Sequence, residues 1–195
     1  MKIILGSGSD NRREAMSIVE LDYEIMIPDV DEKQVDQQSF DRLEDRALAI
    51  ASLKADAIAE KVGRDSIIIT ADGFNECDGR VLEKPQDIEE ARDMLQLLSN
   101  NKTVFFSALV MLNVNTEERF TEVVSTACWF RTLSELEIDD YLDSTDVLKY
   151  AAAYSPFNTK AISFIKKIEG SASGFSHSLP LDVVIPKLRQ WGAIS

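Results

Sequence analysis

Gly6-Ser7-Gly8-Ser9 runs straight into Asn11-Arg12-Arg13. A Gly/Ser loop that opens a helix offers free backbone N–H groups and the positive end of the helix dipole. Ser7 and Ser9 add hydroxyl donors, and Arg12 and Arg13 add guanidinium forks that match phosphate oxygens. The loop lacks the Gly-Lys-Ser/Thr of a Walker A sequence, and Asn11 breaks the third glycine of a dinucleotide fingerprint. A plainer reading is a serine-capped helix with exposed arginines, and the loop alone leaves both open.

Four further positions invite chemistry. Lys54 falls on the apolar stripe of a long helix, where another apolar residue is expected. It either snorkels to water or meets an anion at the floor of a cleft. Asp72 follows the β-branched run "SIIITA", at the carboxyl end of the strand expected over 66–72. Ligand sites in open sheets lie at such ends, and a carboxylate there can hold Mg²⁺ or activate water. The competing reading is a turn aspartate. Glu32, in the acidic pair Asp31-Glu32, is a second hard oxygen ligand or a solvated loop acid. Lys84 is fixed in extended backbone by Pro85, and is either a phosphate ligand or an exposed loop lysine. His177 has no partner spacing and reads as a loop residue. Cys77 and Cys128 have no CxxC or histidine context and read as structural. Phe105-Phe106 and Trp129-Phe130 read as strand core, with the lining of a nucleobase pocket as the alternative for one of them.

The elements that must position these groups follow from periodicity. Residues 2–6 read as a buried strand, 10–20 as a helix and "YEIMIP" (23–28) as a second strand. Phe40 to Lys61 carries a helical stripe of Phe40, Leu43, Ala47, Ile50 and Ile58. Asp87 with Glu90, and Ser134 with Glu137, are capping-box signatures that open two more helices. Residues 102–114 and 121–131 are β-rich runs around "NTEER", a hairpin pattern. A strand near 161–168, a loop "EGSASGFSHS" and a helix from Leu181 complete the chain. This order predicts an α/β or α+β sheet with helices on its faces.

Composition limits the function. With 21 Lys and Arg against 34 Asp and Glu, the net charge is −13. So acidic a chain repels polyanions, which disfavours a nucleic-acid polymer or a membrane surface as partner. A small anion held by local cations or a metal remains compatible. A single histidine rules out a multi-histidine metal site, and two distant cysteines fit a reducing compartment. No signal peptide or spanning segment is recognisable, so the expected location is cytoplasmic.

In order and spacing, these pieces resemble the Maf-type nucleoside triphosphate pyrophosphatases over about residues 3 to 190. The matching stretches are "SGSDNRRE", "DVDE" at 29–32, "LKADAIAE" at 53–60, "ITADGFNECDGRVLEKPQDIEEARDMLQLLS" at 69–99, "FRTLSELEIDDYL" and "IEGSASGFSHSLPL". The resemblance implies one domain over 1–195, of two α/β lobes around a mixed, twisted sheet with a central cleft, as in the inosine-triphosphate pyrophosphatases. It implies hydrolysis between the α and β phosphates of a nucleoside triphosphate, with Mg²⁺ or Mn²⁺, and suggests a homodimer. Asp72 would activate water and touch the metal, with Glu32 as a second metal ligand. Ser7, Arg12, Arg13, Lys54 and Lys84 would hold the triphosphate.

Three positions separate the family's two branches. The dTTP/UTP branch usually carries arginine, threonine and glutamine there, and the 7-methyl-GTP branch tryptophan, glutamine and glutamate. This chain has Asn11, Gly73 and Phe157, matching neither set. "AAAYSPFN" at 151–158 and the absence of a histidine near Thr103 lean toward the 7-methyl-GTP branch. The alternatives are a dTTP/UTP pyrophosphatase, or a nucleotide-binding protein with little turnover.

Overall fold

The computed structural model describes residues 1–156 and 159–195. A seven-stranded sheet has the order β2-β1-β3-β5-β6-β7, with β4 pairing to β3 beside this path. Its strands are β1 (Lys2–Leu5), β2 (Glu24–Ile25), β3 (Ser66–Cys77), β4 (Arg80–Leu82), β5 (Lys102–Asn113), β6 (Glu118–Phe130) and β7 (Ile165–Glu169). The helices are α1 (Asp10–Ile18), α2 (Leu43–Ala59), α3 (Ile88–Leu98), α4 (Glu135–Ser144), α5 (Ala172–His177) and α6 (Leu181–Gln190). β1 runs parallel to β2 and β3, whereas β3–β4 and β6–β7 are antiparallel. The sheet is therefore mixed, and the fold class is α/β as expected.

The chain divides into two compact units. The first comprises Met1–Gly73, Ser107–Val124 and Ser173–Ser195, and the second Phe74–Phe106 and Ser125–Ala172. In the first unit, strand alternation sends Ile3, Leu5, Ile67, Ile69, Leu109 and Met111 to one face. There they meet Ala15 and Met16 of α1 and Val184 and Leu188 of α6. Ile4, Ile68, Val110 and Leu112 go to the other face, against Ala51, Ala55 and Ile58 of α2. Each fully buried isoleucine contributes roughly 1.5–3 kcal/mol, so these two layers fix α1 and α2 on opposite faces of β1 and β3.

The second unit buries Ala91, Met94, Leu95 and Leu98 of α3 together with Phe105, Phe130 and Tyr141. Edge-to-face ring pairs join Phe130 to Tyr154 and Tyr141 to Phe164, with centroids 5.0 and 5.2 Å apart. Ser134 and Glu137 close a full capping box on α4. Asp87 caps α3 through Glu90 N–H, but the Glu90 carboxylate accepts from Gln86 N–H, so only half of that box forms.

Several sequence expectations are corrected here. The second strand is only Glu24–Ile25, because the chain turns away at Pro28, which has no N–H for a ladder. Helix α2 begins at Leu43, since Arg42 is extended (φ −125°) and ends any earlier helical run. Strand β3 continues past Asp72 to Cys77, where Asn75, Glu76 and Cys77 pair with β4. Asp72 is thus a mid-strand residue. The 161–168 segment is a 3₁₀ turn (Lys160–Phe164) followed by β7, and "EGSASGFSHS" contains α5.

Candidate active site

The opening loop is built by close packing. Gly6 N–H donates to the Ile69 carbonyl at 2.8 Å. A Cβ on Gly6 would lie 2.5 Å from both Ile58 Cδ1 and Thr70 Cγ2. Only glycine lets the backbone approach so closely between α2 and β3. Ser7, next in line, is buried, and its Oγ accepts from Ser9 N–H (3.1 Å) and from Arg12 Nη1 (3.3 Å). Ser9 occupies the N-cap position of α1 but makes no side-chain cap bond. The serine-capped reading of this loop therefore does not describe it.

Arg12 is held at two points. Besides Ser7, its Nε donates to the Ser178 carbonyl at 3.0 Å. Burial pushes the guanidinium pKa down, while the nearby Asp72 and Glu32 carboxylates push it back up. An arginine remains cationic under such opposed pressures.

Lys54 has only 9 % of its side chain exposed, and its Nζ lies 3.0 Å from Glu32 Oε1 and 3.2 Å from Asp72 Oδ1. It sits on the buried stripe of α2, beside Ala51, Ala55 and Ile58, and reaches from there to the carboxylates. Glu32 arrives on a 3₁₀ turn that Asp31 caps by accepting from Lys33 N–H. Ser7, Gly8, Arg12, Ile27, Glu32 and Lys54 are among the residues lining a cavity of about 310 Å³. Two cations and the Glu32 carboxylate thus face one recess in the first unit, and Asp72 is joined to it through Lys54 Nζ.

The other expected residues fall as follows. Arg13 forms an ion pair with Asp10 on the same helix and is not among the residues lining the recess. Asn11 is half-buried in the first turn of α1, and Gly73 is the last residue of the first unit. Lys84 belongs to the second unit, in the loop after β4, with its side chain exposed. Phe157 lies outside the described residues. His177 is in the last turn of α5, its Nδ1 2.5 Å from Ser176 Oγ, instead of in a loop. Both cysteines are free and buried, with thiol pKa values raised by burial to about 11 for Cys77 and about 12 for Cys128. Phe105 and Phe130 are core, whereas half-buried Trp129 has the Lys167 ammonium 4.5 Å from its ring centre. The Ser178 carbonyl, Ile27 and Pro28 went unread in the sequence, because a backbone acceptor and an apolar rim leave no motif.

The donor set bears on a metal. Among the described residues no group of three or more His, Cys, Asp or Glu converges. Mg²⁺, however, usually takes one or two carboxylates and completes its shell with water and substrate phosphate. Glu32 and Asp72 are hard oxygen donors gathered on one ammonium, which fits that requirement.

Known proteins resemble this chain over most of its length. The family model described as "Maf-like protein" matches residues 2–190. A dTTP/UTP pyrophosphatase of Carboxydothermus hydrogenoformans is 34% identical over 194 residues, 98% of this chain and 100% of that protein. One from Acholeplasma laidlawii is 33% identical over 98% of this chain and 97% of its own length. One from Vibrio parahaemolyticus is 33% identical over 88% and 87%. Among solved structures, a HAM1 protein from Coxiella burnetii aligns with a TM-score of 0.40 at 12% identity, over 67% of this chain and 73% of that one.

Proposed function

This chain belongs to the Maf-like protein family, and we propose that it is a nucleoside triphosphate pyrophosphatase of the dTTP/UTP type, dependent on Mg²⁺ or Mn²⁺. The observation that carries this reading is the set of Arg12, Lys54 and Glu32 at one recess, with Asp72 held on the Lys54 ammonium. The names of the relatives favour dTTP and UTP over the 7-methyl-GTP expected from the sequence. Asn11, Gly73 and Phe157 remain the positions to examine for base choice.

Each residue has work in this reaction. Asp72 accepts a proton from a water whose oxygen attacks the α phosphorus. The P–O bond to the β phosphate breaks, pyrophosphate leaves with that bridging oxygen, and the nucleoside monophosphate remains. Arg12 and Lys54 neutralise the charge that grows on the phosphate oxygens. Ser7 Oγ holds the guanidinium fork of Arg12 in place. Glu32 and Asp72 would hold the metal, which when bound supplies charge neutralisation and Lewis acidity at the phosphates.

The whole chain, 1–195, acts as one functional domain in this reading, in the cytoplasm and as a homodimer. Among the described residues no helix is long and apolar enough to cross a membrane. The test is a pyrophosphate-release assay with Mg²⁺ on dTTP, UTP, CTP and 7-methyl-GTP. Release from dTTP and UTP ahead of the others is expected. Binding without release from any of the four would overturn it in favour of a nucleotide-binding protein.

A further inference from the structure

One ammonium holds the place where two carboxylates converge. Lys54 Nζ contacts Glu32 at 3.0 Å and Asp72 at 3.2 Å, from a side chain that is otherwise buried. Those are the oxygens a divalent cation would need. A cation bound to both carboxylates would lie against the ammonium, and two cations in so small a space repel strongly. Lys54 and the metal therefore compete for the pair.

The surroundings give Lys54 a reason to be there. Glu32 is half exposed and rides on a 3₁₀ turn outside the sheet, whereas Asp72 is fixed in β3. The segment after Glu32 is tied down by Arg46, whose Nε donates to the Val35 carbonyl at 3.2 Å. Without a cation between them the two carboxylates would repel, and Glu32, on the less constrained element, would give way. Lysine suits the post because its ammonium is a point charge on a flexible stem that can move to a new anion. Arginine at position 12 does not do the same, because its fork is already held by Ser7 and Ser178.

We infer that Lys54 is a positioning residue and resident counter-ion, which keeps Glu32 and Asp72 together before substrate arrives and competes with the divalent cation for them. This rests on the pyrophosphatase reading given above. The consequence is coupled binding. Metal alone binds weakly, because it must evict Lys54 with no anion to receive it. Metal with nucleotide binds tightly, because a phosphate oxygen takes the ammonium as the carboxylates pass to the metal. Each ligand therefore raises the affinity for the other.

The experiment is a Mn²⁺ titration of the nucleotide-free protein, read by electron paramagnetic resonance, for wild type, Lys54→Met and Lys54→Arg. Lys54→Met should bind Mn²⁺ at least about tenfold tighter than wild type, the factor expected for losing a close like charge. Lys54→Arg keeps the charge and should bind as weakly as wild type. In wild type alone, a non-hydrolysable dTTP analogue should tighten Mn²⁺ by at least about tenfold, and this arm needs no variant to fold. The inference is overturned if Lys54→Met binds Mn²⁺ no tighter than wild type, or if the analogue leaves wild-type affinity unchanged. Should either happen while wild type still releases pyrophosphate, the activity stands and only the role of Lys54 falls. If no Mn²⁺ binds with or without the analogue, the metal-dependent reading falls with it.

Discussion

Arg12 Nε donates to the backbone carbonyl of Ser178 at 3.0 Å, across 166 positions of sequence. Ser178 adopts a left-handed φ of 54°, an uncommon conformation for a residue with a side chain. The strained turn after α5 thus supports one side of the guanidinium and Ser7 Oγ the other, so Arg12 is aimed before any anion arrives. Preorganised donors lose less entropy when substrate binds.

Lysine cannot reproduce that arrangement. Arg12→Lys keeps the charge but has one nitrogen to serve two acceptors and a phosphate. Its kcat/KM on the preferred nucleotide should fall by about tenfold to a hundredfold, chiefly through KM. Arg12→Ala should fall further. Steady-state kinetics of both variants check this, and a wild-type KM in Arg12→Lys would show that only the charge of Arg12 matters.

Asp72→Asn preserves the shape of the side chain and removes the proton acceptor. General-base contributions are typically about 10²–10⁴-fold, and pyrophosphate release should fall by that order or more. Lys54 keeps Glu32 as a partner at 3.0 Å, so the recess should still bind nucleotide in a calorimetric titration. Release at the wild-type rate would remove Asp72 from the chemistry.

Legibility in the sequence varied with the physical cause. The core strands β1 and β3 and the helices α1 and α2 are legible in the sequence, though not all of their ends, because apolar periodicity reports burial directly. Lys54 was visible as a charge on an apolar stripe, which is where the structure puts it. The end of β3 was misjudged at Asp72, because a polar residue inside a strand looks like its end. Asp78-Gly79 carried the missing signal. Both residues have positive φ (51° and 75°), and the pair turns β3 back into β4, as Asp-Gly pairs commonly do. Neither the Ser178 carbonyl nor the convergence of Glu32 and Asp72 on Lys54 has a local sequence signature, since distant segments create both.

The two loop glycines should respond differently to a methyl group. On Gly6 it would meet Ile58 and Thr70 side chains at 2.5 Å, which forces those side chains, or the elements that carry them, to shift. Overpacking of this kind costs about 1–3 kcal/mol. On Gly8 the nearest atoms are Ile27 side-chain carbons at 3.9 Å, an ordinary contact. Gly6→Ala should therefore unfold at clearly lower urea, and Gly8→Ala should match wild type in stability. Chemical denaturation of the two variants is the comparison, and equal midpoints would refute the packing account.

His177 offers a pH test with a determined sign. Burial lowers its pKa from the ordinary 6.5, with Glu14 acting weakly the other way. The native state then binds fewer protons than the unfolded state between the lowered pKa and 6.5, so stability rises with pH across that window. The contribution is fully present above 6.5 and is lost as pH falls through the native value. Glu137 acts lower down. Arg131 and the Ser134 N–H and hydroxyl hold it at about 2, so its contribution is present above 4.5 and lost only as pH falls toward that value. The His177 window opens at 6.5 and the Glu137 window at 4.5, and the chain has one histidine. Urea midpoints measured from about pH 7 down to about pH 5 should fall in wild type, and fall less in His177→Gln, which cannot charge. If both proteins lose the same stability over that range, the buried imidazole is not the group that titrates.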